Sequence, residues 1–514
     1  MTAEHLNAKS CLRNTVLFGV FAVLVLTANL LATVGGVYQE PAAAVMFAAN
    51  VALNVAVVAD LCTRVRRDFP LLVFAASFDL LLLGRVYVAY FSGQGQILYR
   101  LEAKDFSTLF NALQIVTLSF FVVWAAYRLS GPLFARREAA VREGRADAVR
   151  GNPTVPVVRQ ICEAVLLVSS LAFFFTLFHS IVNVLQHGYL ASFTQEADAG
   201  VPSAVSRLSM FFAPAFAAFL ATLPDRRQMK LPLAVYGVYM LASLLTGRRN
   251  TFVCEALMLA IYFVLRDSLR KKDGRLLKKR TVLWGALAAA VLMYLLELVA
   301  EFRAGSVSPK GFFSSLVNFV YSQGASFRVV VQTLNNWDLF DHGEAYRYLF
   351  YPLERFAHNN LFIRTMFGLD PIVEVQTTKF VQTTSNFAHV LTYMVDPGRY
   401  LSGGGFGTSF VAESLVAYGA VGVAAVSAMA GVAFRFFSSM LTRPWVVVAL
   451  GLIALKDFVY LPRSFAFLWV TNVFSFTYLC FFLGVYLLAL LCVHLGAHVR
   501  GVSAVERPPA EEEP

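Results

Sequence analysis

Two adjacent arginines interrupt an apolar part of this sequence. Arg248 and Arg249, in LLTGRRNTF (244–252), fall between two segments that are each apolar enough to enter a membrane. A guanidinium group presents a planar set of donors that suits phosphate and diphosphate oxygens. Arginines at such a junction also extend to lipid headgroups. The pattern therefore predicts either a site for a phosphorylated ligand or an interfacial anchor.

A second group of charged residues closes a later apolar segment, in LLELVAEFRAG (295–305). Glu297 and Glu301 are four residues apart and share one face of a helix, and Arg303 follows at once. Ionisable residues at the mouth of a membrane helix are functional candidates by default. The alternative is a local ion pair between one glutamate and the arginine.

The segment 302–407 contains further arginines and histidines, of which Arg328, Arg355, His358 and His389 are the site candidates. Histidine is the side chain best suited to proton transfer near neutral pH. Arg355 and His358 are three residues apart and would share a face of a helix. The alternative for each histidine is a hydrogen-bonded structural role.

A glycine-rich turn follows, in YLSGGGFGTSFVAESL (400–415). It lacks the lysine of a P-loop, and no strand precedes it as in a dinucleotide fingerprint. Free amides at a helix N-terminus could bind an anion here, and a flexible turn is the alternative. Ser409 and Glu413 are four residues apart, so they would lie on one face of the helix that begins at the turn.

Composition excludes a soluble protein. Of the 514 residues, 58% are hydrophobic and 15% charged, and the mean hydropathy is +0.63. The net charge of +11 does not predict a nucleic-acid partner, because basic residues in membrane proteins record topology. The six cysteines are scattered without a CxxC pair, so we predict neither a disulfide framework nor a metal site.

Hydropathy predicts an all-α polytopic membrane protein. A spanning helix needs about 20 mostly apolar residues. Twelve segments qualify, namely 15–36, 41–61, 70–91, 107–129, 161–185, 205–223, 231–247, 250–266, 281–301, 408–434, 444–461 and 466–494. The basic runs 136–150 and 266–280 indicate cytoplasmic connections, so both termini are expected inside.

This topology divides the chain into four parts. Residues 1–301 would form transmembrane helices one to nine, 302–407 a long extracytoplasmic loop with short helices, 408–496 the last three transmembrane helices, and 497–514 a cytoplasmic tail. A loop of that length within a compact bundle is usually functional or a small folded unit. The intramembrane charges are Lys456 with Asp457, Asp79 with Arg85, and Glu255. Each would either belong to a buried polar network or face a neighbouring helix.

The region 382–434 resembles the bacterial O-antigen and exopolysaccharide repeat-unit polymerases, the Wzy family. The resemblance rests on GFGTS (405–409), VAE (411–413) and YGAVG (418–422), and LLTGRRN (244–250) is similar to a segment shared with the O-antigen ligases. In TGRRN two arginines stand where the family more often has Ser-Arg, so either could be the equivalent residue. HNN at 358–360 is closer to the ligases.

The resemblance implies a GT-C-like membrane glycosyltransferase of the inner membrane that acts at its outer face. It would transfer a growing glycan from undecaprenyl diphosphate to the non-reducing end of an incoming lipid-linked repeat unit. The leaving group is already activated, so the resemblance implies no cofactor and no metal, and inversion at the anomeric carbon. Membrane lipids and a chain-length regulator would be its partners.

The resemblance also implies roles for the candidate residues. Cations would stabilise the charge that develops on the diphosphate, and a base would stand near the acceptor hydroxyl. Arg248, Arg249 and Arg303 suit the first task. Arg328 and Arg355 are further candidates for it or for contact with the glycan. The candidate bases are Glu413 and His358, with His389 third.

Two other functions fit part of the pattern. An O-antigen ligase shares the mechanism and shape but passes the glycan to lipid A core. A secondary transporter fits twelve spans with both ends inside, but its loop motif is only faintly echoed by ADLCTRVRR (59–67).

Overall fold

The computed structural model of the protein describes residues 3–92, 95–142, 152–187, 200–246, 249–269, 311–505 and, between 291 and 297, all but 292 and 296. Every regular element in these ranges is a helix, which confirms the predicted all-α class. Helices dominate because a bilayer offers the backbone no hydrogen-bonding partners, and a helix satisfies its own amides and carbonyls.

The helices before the long loop are α1 (Ala3–Val34), α2 (Gln39–Cys62), α3 (Val65–Phe78), α4 (Gly84–Phe91), α5 (Ile97–Leu101), α6 (Phe106–Leu129), α7 (Gly131–Arg142), α8 (Val155–His187), α9 (Ser203–Ser209), α10 (Phe212–Ala221), α11 (Lys230–Ser243) and α12 (Arg249–Ser268). A π-helical turn, Asp79–Leu83, joins α3 to α4.

The remaining helices are α13 (Phe312–Gln323), α14 (Ala325–Asn335), α15 (Tyr346–Asn359), α16 (Leu361–Phe367), α17 (Thr378–Thr383), α18 (Phe387–Val395), α19 (Pro397–Leu401), α20 (Phe410–Phe437), α21 (Trp445–Tyr460), α22 (Leu468–Val473) and α23 (Phe476–Val505). Short 3₁₀ turns occur at Gly36–Tyr38, Leu244–Thr246, Trp337–Leu339, Met440–Thr442 and Leu461–Arg463.

Nine segments of the described chain are long and apolar enough to cross a membrane. They are Leu12–Val34, Gly36–Cys62, Val65–Phe91, Phe106–Leu129, Val155–His187, Ser203–Ala221, Phe410–Phe437, Trp445–Arg463 and Phe476–Leu495. The protein is therefore an integral membrane protein with many spans, as predicted.

The other three predicted spans have different outcomes. The seventh is a shorter apolar helix, Lys230–Thr246. The eighth is the helix α12, which carries charged residues at both ends and Glu255 within. The ninth, 281–301, lies mostly outside the described residues. The last span begins ten residues later than predicted, at Phe476, because 466–475 folds into the separate short helix α22.

The centre of the bundle is the close packing of α20 against α6. A Cβ at Gly431 would lie 2.3 Å from the main-chain oxygen of Val123, so only glycine permits this approach. Ser119 and Ser427 hydrogen bond across the same interface at 2.8 Å. The small residues of α20 thus allow two helices to pack closely. Close packing matters in a membrane because apolar side chains supply no net hydrophobic driving force for helix association there.

Buried ion pairs join the helix ends at one side of the bundle. Asp68 and Glu138 are almost fully buried, and each accepts from two arginines. The cations are Arg67, Arg128 and Arg435, and Arg128 also reaches Asp60 at 2.5 Å. A buried ion pair stabilises little in net terms, but removing one partner leaves an uncompensated charge. The network therefore fixes how these helix ends meet.

A second polar network lies within the spans, as the sequence predicts. Lys456 Nζ lies 2.9 Å from Glu255 Oε1, and Tyr236 donates to the other oxygen of Glu255 at 2.7 Å. Asp457 accepts from Asn472 Nδ2 at 2.9 Å. The two adjacent charges of α21 therefore have different partners.

Residues 311–407 fold as seven short helices that pack on the bundle. Their tightest contact is a crossing of glycines. A Cβ at Gly324 would lie 2.1 Å from the amide nitrogen of Arg85, and one at Gly84 would lie 2.7 Å from the oxygen of Val320. This crossing fixes α4 against α13 and α14. It also places Arg85, which belongs to a membrane span, close to Arg328 of the loop.

Candidate functional site

Three guanidinium groups meet at the start of α14. We call Arg85, Arg328 and Arg399 the arginine cluster. Arg328 Nε lies 2.5 Å from Glu102 Oε2, and Arg85 Nη1 lies 3.3 Å from the other oxygen of Glu102. Arg328 and Arg399 both lie over the ring of Phe406, with their guanidinium carbons 4.2 and 5.1 Å from its centroid. One carboxylate and one aromatic ring therefore hold three cations together.

The cluster carries excess positive charge. The pKa of Arg328 is lowered first by burial of its guanidinium group. Glu102 opposes that effect, whereas Arg399 and Arg85 lower the pKa further by repulsion. In the part of the chain that the structure describes, Glu102 is the carboxylate paired with this cluster, through Arg328 and Arg85, so a bound anion would relieve the repulsion among the three cations. The arrangement suits a ligand with two adjacent negative groups.

Glu102 is held in place by residues of α14, the helix that carries its ion-pair partner Arg328. It follows α5 with a φ of 58°, in the left-handed region. Its side chain accepts from Gln332 at 3.2 Å, and its carbonyl accepts from Asn335 at 2.7 Å. Because both partners lie on α14 with Arg328, the connection before α6 and the loop helix form one unit.

A cavity of about 610 Å³ opens beside Glu102. Tyr99, Arg100, Asn318 and Tyr321 line it together with Glu102. The Arg85 guanidinium lies over the Tyr321 ring at 4.6 Å, and the Tyr321 hydroxyl donates to the carbonyl of Arg100. The cluster therefore borders a space large enough for part of a substrate.

The glycine-rich turn positions Phe406 under the arginines. Gly403 and Gly407 have φ values of 86° and 77°, a region that favours glycine. A Cβ at Gly404 would lie 2.8 Å from Arg399 Cγ, so that glycine lets α19 fold against the turn. Two hydrogen bonds anchor the turn: Phe406 N donates to Thr392 Oγ1, and Gln376 donates to the Gly404 carbonyl, each at 3.1 Å.

Glu413 and Ser409 lie beneath this turn, and both are fully buried. One oxygen of Glu413 accepts from the Thr408 hydroxyl, and the other accepts from Ala466 N at 3.1 Å. The Ser409 hydroxyl has no hydrogen-bond partner among the described residues. Glu413 therefore links the start of α20 to the segment that leads into α22. In the described chain neither an arginine nor a lysine is paired with it.

The YGAVG motif interrupts α20. Tyr418 and Gly419 depart from helical geometry, and Gly419 has φ 60° and ψ −150°. A Cβ at Gly422 would lie 2.4 Å from the Ser414 carbonyl. The two glycines of the motif therefore permit a kink that lies five to six residues beyond Glu413.

A second polar cluster surrounds Glu374. Its Oε1 accepts from Tyr351 at 2.7 Å and from Asn386 at 2.9 Å, and its Oε2 lies 3.1 Å from Arg355 Nη2. Burial and the nearby Glu374 carboxylate raise the pKa of Tyr351. Arg355 is thus an ion-paired residue that is 45% exposed, and its guanidinium group has further N–H donors besides the one nearest Glu374.

His389 lies next to this cluster and to the glycine-rich turn. Its Nδ1 is 2.9 Å from the hydroxyl of Tyr400, and the edge of its ring packs against Phe380. Burial lowers the pKa of His389, with Arg355 acting in the same direction and Glu374 against it. Burial also raises the pKa of Tyr400 to about 12. His389 is therefore favoured as a neutral imidazole.

The HNN segment makes bonds to the main chain. His358 Nδ1 lies 2.7 Å from the carbonyl of Asp370, so Nδ1 carries the proton and Nε2 is left as an acceptor. Asn359 bonds both the amide and the carbonyl of Ile372. Asn360 caps α16 by accepting from two amides. His358 and Arg355 thus lie on one helix but have different partners.

Three of the predicted site residues, Arg248, Arg249 and Arg303, precede the described part of the loop. Arg248 and Arg303, with Glu301, lie outside the described residues. Arg249 begins α12 and is partly buried. Of the residues predicted from sequence, the structure brings Arg328 into the arginine cluster, and Arg355 and His389 to Glu374.

Several residues of the site were not predicted from sequence. Arg399 and Phe406 flank the three consecutive glycines 403–405. Arg399 lies six residues before the last of these glycines, and that position could have singled it out as a site residue. For Arg85 the sequence predicts only a buried polar network or a position facing a neighbouring helix. Glu102 and Glu374 are single acidic residues in polar connections, and no spacing singles them out. The described residues contain no group of three or more His, Cys, Asp or Glu side chains that could hold a metal ion.

No curated protein and no solved structure matches the chain. One family model, described as O-antigen polysaccharide polymerase Wzy, matches residues 15–495 and therefore nearly the whole chain. The match confirms the predicted family, and it extends over the spans, the arginine cluster and the glycine-rich turn alike. This chain belongs to the O-antigen polysaccharide polymerase (Wzy) family.

Proposed function

We propose that this polymerase transfers a growing glycan from undecaprenyl diphosphate to the non-reducing end of an incoming lipid-linked repeat unit. We place the reaction at the outer face of the inner membrane, with both termini in the cytoplasm. Family membership supports polymerisation of O-antigen repeat units in general. The identity of the lipid carrier, the direction of growth and the side of the membrane are our proposals.

The observation that carries the proposal is the arginine cluster. Arg85 comes from a span, whereas Arg328 and Arg399 come from the loop, and Glu102 neutralises only one charge. A lipid diphosphate stays at the membrane boundary with its charges adjacent to the hydrocarbon. Cations contributed by both regions suit a ligand in that position.

The proposed reaction is a substitution at the anomeric carbon. An acceptor hydroxyl oxygen forms the new glycosidic bond to that carbon while the bond to the diphosphate oxygen breaks. The electron pair leaves with undecaprenyl diphosphate, and a base takes the hydroxyl proton. Attack from the face opposite the leaving group inverts the centre. Guanidinium groups would stabilise the leaving diphosphate, so we propose a reaction without a metal ion.

Two residues remain our candidates for the base. His358 is partly exposed, and its Nε2 is an available acceptor because Nδ1 donates to Asp370. Glu413 is fully buried and would act only through Thr408, whose hydroxyl donates to it. His389, neutral and bonded to Tyr400, is the third candidate.

The other predicted residues keep their proposed roles. Arg248, Arg249 and Arg303 would add charge for the diphosphate, with Arg303→Ala expected to abolish chain extension. Arg355 and Ser409 would contact the glycan or support the turn that does. A chain-length regulator is the proposed protein partner.

Deletion of the gene tests the proposal. The cell should then carry lipopolysaccharide capped with a single repeat unit, and the chain supplied in trans should restore the ladder of lengths. A glycan-free core with polymer accumulating on the lipid carrier would instead indicate a ligase. Loss of uptake of a small solute with normal chain lengths would indicate a transporter.

A further inference from the structure

A second cavity of about 460 Å³ lies between α15 and the segment that leads from α21 to α23. We call it the α15 cavity. Its lining includes Arg355, Phe356, Phe465, Thr471, Asn472 and Ser475. It contains neither Glu102 nor any residue of the arginine cluster, so it is a separate site.

The lining of the α15 cavity carries little net charge. Among the described residues that line it, Arg355 is the one charged side chain, and it is ion-paired with Glu374 at 3.1 Å. The arginine cluster, by contrast, has three cations for one carboxylate. A diphosphate would therefore favour the cluster, and the α15 cavity suits a neutral ligand.

Hydrogen-bonding groups of the lining remain available to a ligand. Asn472 Nδ2 donates to both oxygens of Asp457, which fixes the amide so that its oxygen is left to accept. Thr471 donates to the carbonyl of Leu468 and keeps its acceptor capacity. Ser475 and Thr477 add hydroxyl groups at the same wall. Arg355 retains donors beyond the one that reaches Glu374.

Aromatic rings complete this wall. Phe356 and Phe465 line the cavity together with Tyr351, whose hydroxyl donates to Glu374. Flat apolar rings beside convergent hydroxyl, amide and guanidinium groups match a sugar, which has an apolar C–H face and a rim of hydroxyls. Few polar groups on an otherwise apolar wall are what orients such a ligand.

The chain connects this cavity to the glycine-rich turn. Glu374 holds the cavity wall through Tyr351 and Arg355, and two residues later Gln376 donates to the carbonyl of Gly404. Gly404 precedes Phe406, which lies under the arginine cluster. One short segment thus joins a neutral polar cavity to a cationic one.

We infer that the α15 cavity binds the oligosaccharide part of one lipid-linked substrate, while the arginine cluster binds diphosphate. The inference rests on the proposed function. It assigns the wall formed by the Asn472 amide and the Ser475 and Thr477 hydroxyl groups to the sugar. The ring of Phe465 belongs to the same wall. The occupant is a neutral oligosaccharide of one repeat unit.

The experiment measures binding of a sugar that lacks diphosphate. The probe is the reducing oligosaccharide of one repeat unit, released by mild acid from the host's lipid-linked oligosaccharides. Full-length protein in detergent is titrated with it by calorimetry. Ser475→Trp, which fills the cavity, should weaken binding at least about tenfold. Thr365→Trp, on exposed α16 outside the cavity, is the matched control and should bind as the wild type does.

A milder variant covers the case in which tryptophan disturbs folding. The Ser475→Ala/Thr477→Val double variant removes two hydroxyl groups without adding volume, and about a tenfold weakening is expected. Unchanged binding by both folded variants would overturn the inference. So would displacement of the oligosaccharide from the wild type by undecaprenyl phosphate alone, because the cavity would then take the lipid chain.

A chain-extension assay with lipid-linked repeat units separates this inference from the proposed function. A ladder made by the wild type and equally by Ser475→Trp would refute the cavity assignment and leave the function standing. Oligosaccharide binding that depends on Ser475, with no ladder from the wild type, would support the cavity assignment and refute the function.

Discussion

Arg328 and Glu102 form an ion pair at 2.5 Å between the long loop and the connection that precedes α6. The pair joins two parts of the chain that are far apart in sequence, and Arg85 from a membrane span shares the same carboxylate. It therefore defines the point where the loop, the span and the connection meet.

Replacing Arg328 with glutamine should abolish most chain extension. The side chain is close to Arg85 and Arg399, and its charge would stabilise the departing diphosphate. Loss of one such group at an active site costs about 10²-fold or more in rate. The measurement is the rate of ladder formation from lipid-linked repeat units. Arg347→Gln is the control, since Arg347 pairs with Glu344 at the exposed surface, and it should extend chains normally.

Replacing Gly404 with alanine should displace Arg399. The new methyl group would lie 2.8 Å from Arg399 Cγ and 3.0 Å from its carbonyl oxygen, so the turn and α19 would have to separate. We expect chain extension to fall about tenfold or more, with the helical content retained. Gly398→Ala is the matched control. Gly398 lies in α19 beside Arg399, and a methyl group there would approach Asp396 only to 3.7 Å. Equal activity of the two variants would contradict the role given to the turn.

Replacing Glu413 separates its structural from its proposed catalytic role. Glu413→Ala leaves Ala466 N and the Thr408 hydroxyl without their buried acceptor, which should cost about 1–3 kcal/mol of stability. Glu413→Gln keeps an acceptor oxygen and should melt closer to the wild type. If Glu413 is the base, the glutamine variant will not extend chains. A folded glutamine variant that makes a normal ladder would assign Glu413 to structure alone.

His389 should make the stability of the protein depend on pH. Its pKa in the folded protein is lowered below the ordinary value of 6.5, mainly by burial, so the unfolded chain binds the proton more readily. The folded state is therefore favoured above pH 6.5 and loses stability as the pH falls below that value. His389→Gln should reduce this loss, as measured by thermal unfolding in detergent from about pH 8 to about pH 5.

The control for that profile is another histidine replaced in the same way. His342 is exposed, and its ring packs beside Trp337. His342→Gln should keep the acid slope of the wild type. A slope equally reduced in both variants would show that His389 is not the group responsible.

The family and the helical class were predictable because they rest on local patterns. Apolar segments of spanning length specify membrane helices wherever they lie, since transfer into a bilayer is nearly additive along the chain. The glycine-rich turn and the YGAVG motif likewise act locally, through positive φ angles at Gly403, Gly407 and Gly419. Arg328 was among the predicted site residues for its charge and position alone.

The predicted start of the last span, at residue 466, was wrong because hydropathy alone does not report the tertiary contacts of this segment. Residues 466–475 are apolar enough to continue a membrane helix, yet Ala466 N donates to Glu413 and α22 forms beside α15. A buried carboxylate on another helix therefore binds the turn at Ala466 that precedes α22. A hydropathy average covers only residues that are adjacent in sequence, so it does not include a partner on a distant helix.

By itself, the sequence determined a helical membrane protein of the Wzy family, a glycine-rich turn before a span, and a set of charged candidate residues near the membrane boundary and in the long loop. Only the tertiary structure decided which of those charges meet. The close contacts at Gly84 and Gly324 fix the loop helices against a span. This packing allows Glu102 to form ion pairs with both Arg85 and Arg328. Hydropathy is a property of each segment, whereas the partner of a charge depends on which distant segments pack together.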